Sequence, residues 1–147
     1  MPGTTGTGGL AIGDLTNDGY PDIVSSGGCI AFGTATGASN PVCYPVSDIE
    51  GTRNVVLADL RGNGLTDIVT DSYNGISVLL SMGKGKYEDG EWTPVSGGAG
   101  CGVTADFNGD GKPDLAVNTP SGISILLGTG KAKSPFTPGT VLDFCDA

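Results

Sequence analysis

A nine-residue acidic loop occurs three times in the chain and constrains the fold more than any other feature of the sequence. The copies read DLTNDGYPD, DLRGNGLTD and DFNGDGKPD, and they begin at Asp14, Asp59 and Asp106. Their first residues lie 45 and 47 positions apart, a period that is typical of solenoids and propellers. The spacing therefore predicts three copies of one supersecondary unit within a single repeat domain spanning residues 1–147.

Short apolar segments surround each loop, one before it and three after it, the last of them weaker. They are β-branched and are bounded by Gly, Asn, Asp or Pro, which is the pattern of strands. We therefore predict an all-β fold of three four-stranded antiparallel units, at about residues 10–48, 54–97 and 101–145. The fourth strand of the middle unit is expected in EWTPVS, and the charged runs KGKYEDGE and GKAKS are expected to be solvated turns.

The loops carry oxygen donors at positions 1, 3, 5 and 9, with glycine at position 6, where the chain must turn. Many oxygen ligands around one point are the coordination that Ca²⁺ prefers, and Mg²⁺ is a second choice because it demands a stricter octahedron. The competing explanation is that Asp, Asn and Gly simply favour turns. The predicted side-chain ligands are Asp14, Thr16, Asp18 and Asp22 in loop one, and Asp106, Asn108, Asp110 and Asp114 in loop three.

Loop two departs from this pattern, because Arg61 occupies position 3 and Asn63 occupies position 5. Its remaining donors are Asp59, Asn63 and Asp67. The guanidinium could take the place of a cation by pairing with Asp59 and Asp67, or it could swing outward and leave room for water. Two Ca²⁺ sites are therefore expected, and a third is left open.

The pattern D-x-[DNT]-x-[DN]-G-x-x-D within a repeat of this length resembles the FG-GAP/VCBS repeats of integrin α-chain propellers. The resemblance covers the chain from about Leu10 to Phe144 and departs at Arg61 and in the number of units. It implies that each unit is a propeller blade whose loop joins the first and second strands. It also implies that the backbone carbonyls of Tyr20 and Lys112 complete the two calcium sites.

Three blades are too few for a closed propeller, which typically has four to eight. Two sheet faces then lack a neighbouring blade, and exposed faces of this kind recruit partners. We expect an open arc, or part of a ring that other copies complete. A pairing that does not close would give a filament.

The chain has four cysteines, Cys29, Cys43, Cys101 and Cys145, and an even count of this kind indicates disulfides and an oxidising compartment. Cys29 and Cys43 flank a turn between the third and fourth strands of the first unit, so we expect them to bond. Cys101 and Cys145 fall about three strand spacings apart, roughly 14 Å, which is beyond disulfide reach. The C-terminal tail could fold back, or one of the two could bond a neighbouring copy.

Composition narrows the class of function. A net charge of −9 argues against nucleic acid or an anionic membrane as a partner, and no apolar run is long enough to span a membrane. The absence of histidine removes the commonest general base and most zinc sites. Residues 1–9 lack the features of a signal peptide, so an extracellular protein would have its export signal absent from this chain.

These observations predict a non-catalytic, calcium-binding extracellular adhesion or assembly module that self-associates through its open blade faces. The clustered carboxylates, the usual candidates for acid–base catalysis, are assigned to metal binding instead. The alternative is a lectin-like, carbohydrate-binding propeller fragment. In that case the aromatic residues would form a sugar-stacking surface; they are Tyr44, Tyr73, Tyr87 and Trp92.

Overall fold

A computed structural model describes residues 8–46 and 51–143, and within these ranges the chain is all-β. No helix able to cross a membrane occurs in the described ranges. The strands are β1 Leu10–Gly13, β2 Asp22–Ser25, β3 Cys29–Ala31, β4 Gly33–Thr34, β5 Gly37–Ala38, β6 Val42–Cys43, β7 Val55–Ala58, β8 Asp67–Asp71, β9 Gly75–Gly83, β10 Lys86–Asp89, β11 Thr93–Pro94, β12 Gly100–Ala105, β13 Asp114–Thr119, β14 Gly122–Gly128 and β15 Phe136–Asp143.

The strands form three antiparallel sheets in chain order, which we call blades 1, 2 and 3. Blade 1 has the order β1-β2-β3-β6, blade 2 has β7-β8-β9-β10, and blade 3 has β12-β13-β14-β15. The short strands β4 and β5 form a separate hairpin. The predicted fold class is confirmed; the ends of units one and three, expected near residues 48 and 145, lie outside the described residues.

Blade 2 differs from the prediction at its outer edge, where two strands rather than one pair with β9. Strand β10 lies within KGKYEDGE, so the interpretation of this whole run as a turn was wrong. The segment EWTPVS contributes only the two-residue β11. The physical reason is Tyr87, which is buried between exposed neighbours and anchors β10 to the core.

Two apolar clusters hold the three blades together, one at each junction. Val24 and Ile30 of blade 1 pack with Ile68 and Leu79 of blade 2. On the opposite face of blade 2, a second cluster joins it to blade 3; its members include Val69, Val78, Leu115, Val117 and Leu126. Blade 2 is therefore buried on both faces, which explains why β8 is buried along its whole length.

Candidate metal centres

The three acidic loops occupy equivalent places, because each joins the first and second strands of its blade, as predicted. Position 9 of each loop pairs with the last residue of the preceding strand: Gly13 with Asp22, Ala58 with Asp67, and Ala105 with Asp114. The strand register therefore places all three loops at the same end of their sheets.

All three loops also share one backbone conformation, with left-handed residues at positions 4 and 6. The glycine at position 6 was recognised from the sequence, whereas position 4 was missed even though it reads Asn, Gly, Gly, residues that tolerate positive φ. The φ angles are 59°, 64° and 77° at position 4 (Asn17, Gly62, Gly109) and 88°, 79° and 82° at position 6 (Gly19, Gly64, Gly111).

The carboxylate at position 1 organises each loop by accepting backbone N–H groups. In loop one, Asp14 Oδ2 accepts from Gly19 N at 2.8 Å and Oδ1 accepts from Asp18 N at 3.2 Å. Asp59 and Asp106 accept from the same two positions of their own loops. Hydrogen bonding to the charged form, above all from Gly19, lowers the pKa of Asp14.

The carboxylate at position 9 is fully buried in every loop. In loop one, Asp22 Oδ2 accepts from the position-2 amide of Leu15 at 2.7 Å, and Oδ1 accepts from Gly33 N at 2.7 Å. In loop three, Asp114 makes the same pair of bonds, to the amides of Phe107 at 2.9 Å and Gly128 at 2.8 Å. Asp114 thus connects loop three to β14, the third strand of blade 3, and Asp22 connects loop one to β4, which directly follows the third strand of blade 1.

In loop two, Asp67 Oδ1 still accepts from a third-strand amide, Ser81 N, at 2.8 Å, but a guanidinium replaces the position-2 amide. Arg61 Nη2 lies 2.8 Å from Asp67 Oδ1, and Nε lies 3.2 Å from Oδ2, a bidentate pair. The same Nη2 donates to the carbonyl of Ser81 at 2.6 Å. The Arg61 side chain is 15% exposed. Arg61 therefore points inward, as in the first of the two alternatives, but among the ion pairs of the described residues its partner is Asp67 and not also Asp59.

The remaining predicted ligands do not converge on a ready-made site. Within residues 8–46 and 51–143, no three acidic, histidine or cysteine side chains lie close enough to hold one metal ion. Asp110 pairs instead with the exposed Lys112 Nζ at 3.0 Å, and that side-chain hydrogen bond is the main cause of its lowered pKa. All the predicted ligands are nevertheless oxygen donors. The ion pairs of the described residues do not include Asp22 or Asp114, so neither carboxylate is paired with a cationic side chain.

A comparison with protein families finds a match in the middle of the chain. The model of the FG-GAP-like repeat matches residues 59–117, from the start of loop two through loop three and into β13. These residues, less than half of the chain, are therefore similar to an FG-GAP-like repeat. FG-GAP repeats are generally non-catalytic and occur in adhesion-type β-propeller modules. No significant match was found among curated proteins.

Outside the FG-GAP-like repeat, blade 1 contains the predicted disulfide. Cys29 on β3 and Cys43 on β6 are directly opposite each other and bonded. The prediction is therefore confirmed for this pair. Cys145 lies outside the described residues, so the partners of Cys101 and Cys145 stay a prediction.

The four aromatic residues considered for sugar stacking do not form one surface. The rings of Tyr44 and Tyr87 meet edge to face at 5.5 Å between blades 1 and 2. Their hydroxyl groups donate to the carbonyls of Gly85 and Thr66. Tyr73 and Trp92 are exposed, and the guanidinium of Arg53 lies over the Tyr73 ring at 4.5 Å.

Proposed function

We propose that the chain is a non-catalytic, calcium-binding module of an extracellular adhesion or assembly protein. The observation that carries the calcium proposal is the contrast among three equivalent buried carboxylates. Asp67 faces a guanidinium, whereas Asp22 and Asp114 have only backbone amides. A buried charge is costly unless it is compensated, and a bound cation would compensate both carboxylates as Arg61 compensates Asp67.

Loop one would hold Ca²⁺ through Asp14, Thr16, Asp18, Asp22 and the carbonyl of Tyr20, and loop three through Asp106, Asn108, Asp110, Asp114 and the carbonyl of Lys112. Calcium would neutralise the carboxylates and tie the end of the first strand to the start of the second. Loop two would bind none, because Arg61 occupies the position. Extracellular calcium modules bind at roughly 10⁻⁴–10⁻³ M, so we expect affinities in that range.

Isothermal titration with Ca²⁺ and thermal unfolding with and without a chelator test this proposal. The wild-type chain should bind two ions. Each site should stabilise the fold by about 2.7 kcal/mol when the calcium concentration is one hundred times its Kd. Mg²⁺ should stabilise less. A chain whose unfolding temperature does not depend on calcium would refute the calcium proposal.

The loops supply a matched pair of variants at position 1. Asp106→Asn should reduce the number of bound ions from two to one, whereas Asp59→Asn in loop two should leave it at two. Both changes remove one charge from the same position, so a general effect on folding would appear in both. Three bound ions in the wild-type chain, or a loss of binding in Asp59→Asn, would show that Arg61 does not replace calcium.

The assembly part of the proposal rests on the outer faces of blades 1 and 3. Leu10, Ile12 and Ile23 on blade 1 and Val103 and Leu142 on blade 3 are exposed, although such strand positions are normally polar when they face water. We propose that copies of the chain associate through these faces, as a ring or a filament. The disulfide supports an oxidising, extracellular setting.

A second candidate function is carbohydrate binding, favoured by a cleft of about 330 Å³ between blades 2 and 3. Tyr73, Asn118 and Thr119 line it, together with Arg53. It combines one aromatic ring with several polar groups, a composition that suits a sugar. Stabilisation by sugars at constant calcium, lost in Tyr73→Ala, would support this function, and its absence across a glycan panel would refute it.

A further inference from the structure

The two open faces of the molecule are not equivalent, and the strand register shows how they differ. Because position 9 of each loop pairs with the last residue of the preceding strand, residues at equal distances from the loops correspond between blades. The pair Leu57 and Ile68 of blade 2 therefore corresponds to Ile12 and Ile23 of blade 1. We call the face that carries this pair the front face of a blade.

The front face of blade 2 packs against blade 1. Ile68 and Leu79 lie opposite each other in the register, and both belong to the cluster at the junction of blades 1 and 2. In blade 3 the corresponding residues are Leu115 and Leu126, which pack against blade 2. Each front face with a neighbour therefore contacts the preceding blade.

The opposite, or back, face of each blade contacts the blade that follows. On blade 2 it carries Val69 and Val78, which pack against blade 3. On blade 1 the corresponding residues are Val24 and Ile30, which pack against blade 2. The same front-to-back contact is thus made twice within the chain.

The two open faces are one front face and one back face, the two kinds of face that meet at each junction within the chain. Blade 1 exposes a front face, with Ile12 69% and Ile23 39% exposed. Blade 3 exposes a back face, where Val103 is 62% exposed and lies opposite Ala116, which in turn lies opposite Ile125. Both open faces carry apolar residues at the positions that are buried at the two junctions in the other blades.

We infer that copies associate head to tail, with the front face of blade 1 in one copy covering the back face of blade 3 in the next. This inference rests on the self-association proposed above and specifies its geometry. Neither of the two junctions between the described blades joins like faces, so we expect a front face to pair with a back face. The contact is heterologous, so it closes into a ring of two copies or continues as a filament, depending on its angle.

Two single-face variants of the full chain test the pairing in calcium-containing buffer by light scattering. Ile12→Lys places a charge on the front face of blade 1, and Val103→Lys places one on the back face of blade 3. Both side chains are exposed in the single copy, so the fold should persist, which far-ultraviolet circular dichroism and thermal unfolding would verify. We expect the wild-type chain to associate and each variant alone to be monomeric.

Mixing the two variants in equal amounts is the decisive step. Each retains the face that the other has lost, so the mixture should form a one-to-one heterodimer and nothing larger. Met82→Lys, at an exposed apolar position of blade 2, is the control and should associate as the wild type does.

The outcomes separate this inference from the proposal on which it rests. A monomeric wild-type chain would overturn both. If the wild-type chain associates and each single-face variant also associates alone, like faces pair with each other. That result would overturn the head-to-tail geometry but not self-association. A mixture that stays monomeric would also overturn the geometry.

Discussion

Blade 2 and the two flanking blades share one strand order and one loop conformation, but they differ in how their faces are covered and in how their buried loop carboxylates are paired. Its two faces are both covered by neighbouring blades, and its buried loop carboxylate is neutralised by Arg61. Blades 1 and 3 each leave one apolar face open and one buried loop carboxylate without a cation. The proposed calcium ions and the proposed neighbouring copy would supply blades 1 and 3 with the cation and the covering face that blade 2 finds within the chain.

The largest expected effect comes from removing the internal cation of blade 2. Arg61→Met keeps much of the volume and the alkyl chain but leaves Asp67 buried with the Ser81 amide and no cation as its partner. We expect the free energy of unfolding to fall by about 3 kcal/mol, because breaking one side of a buried ion pair strands the other charge. Urea unfolding at neutral pH, followed by circular dichroism, measures this loss.

Loop three provides the matched control, since it contains an ion pair between the exposed side chains of Lys112 and Asp110. Lys112→Met should leave the free energy of unfolding nearly unchanged, because exposed ion pairs contribute little. The double variant Arg61→Met/Asp67→Asn should recover part of the loss by removing the stranded charge. Equal small effects of Arg61→Met and Lys112→Met would contradict the special role assigned to Arg61.

A smaller effect is expected from the backbone that all three loops share. Gly64→Ala in loop two and Gly111→Ala in loop three place a side chain at φ angles of 79° and 82°. An added Cβ meets no atom within 4 Å at either position, so the cost is backbone strain alone, about 1 kcal/mol. In the presence of a chelator both variants should lose stability equally in urea unfolding.

Calcium should then separate the two glycine variants, because only loop three is proposed to bind it. Gly111→Ala should also weaken calcium binding, whereas Gly64→Ala should not. Gly27→Ala is the control, since Gly27 lies outside the left-handed region and its added Cβ touches only Ser25 Oγ, at 4.0 Å. Unequal losses in chelator would show that the loops do not share one backbone conformation.

The sequence predicted the architecture well because the repeat supplied each signal three times. Apolar segments, turn residues and the spacing of Asp14, Asp59 and Asp106 all pointed to the same blade. The disulfide between Cys29 and Cys43 followed from their positions on either side of one turn. The candidate calcium ligands were likewise found by pattern alone, and they remain predictions.

Other features depend on packing that the pattern does not contain. Arg61 is long enough to reach outward or inward, and its direction is set by the buried Asp67 and by the Ser81 carbonyl on the third strand. Strand β10 was missed because Lys86, Glu88 and Asp89 make it look like a solvated turn. Only the burial of Tyr87 against blade 1 shows that the segment belongs to the sheet.

Tyr87 therefore provides the last and smallest test, of how completely the junction of blades 1 and 2 is buried. Burial raises the pKa of Tyr87 to about 12, from an ordinary value of 10.0. The unfolded chain therefore releases this proton first as the pH rises. The free energy of unfolding should hold below about pH 10 and fall between about pH 10 and 12.

Tyr87→Phe should lose about 1 kcal/mol of stability at neutral pH, because it removes the hydrogen bond to Thr66. It should also lose the decrease in stability at alkaline pH. Tyr44→Phe, which removes the hydrogen bond to Gly85 from the neighbouring ring, should lose a similar amount at neutral pH but keep the fall. Urea unfolding from pH 8 to 12 distinguishes the two variants. If both variants keep the same alkaline slope as the wild-type chain, Tyr87 is open to solvent and the junction is looser than described.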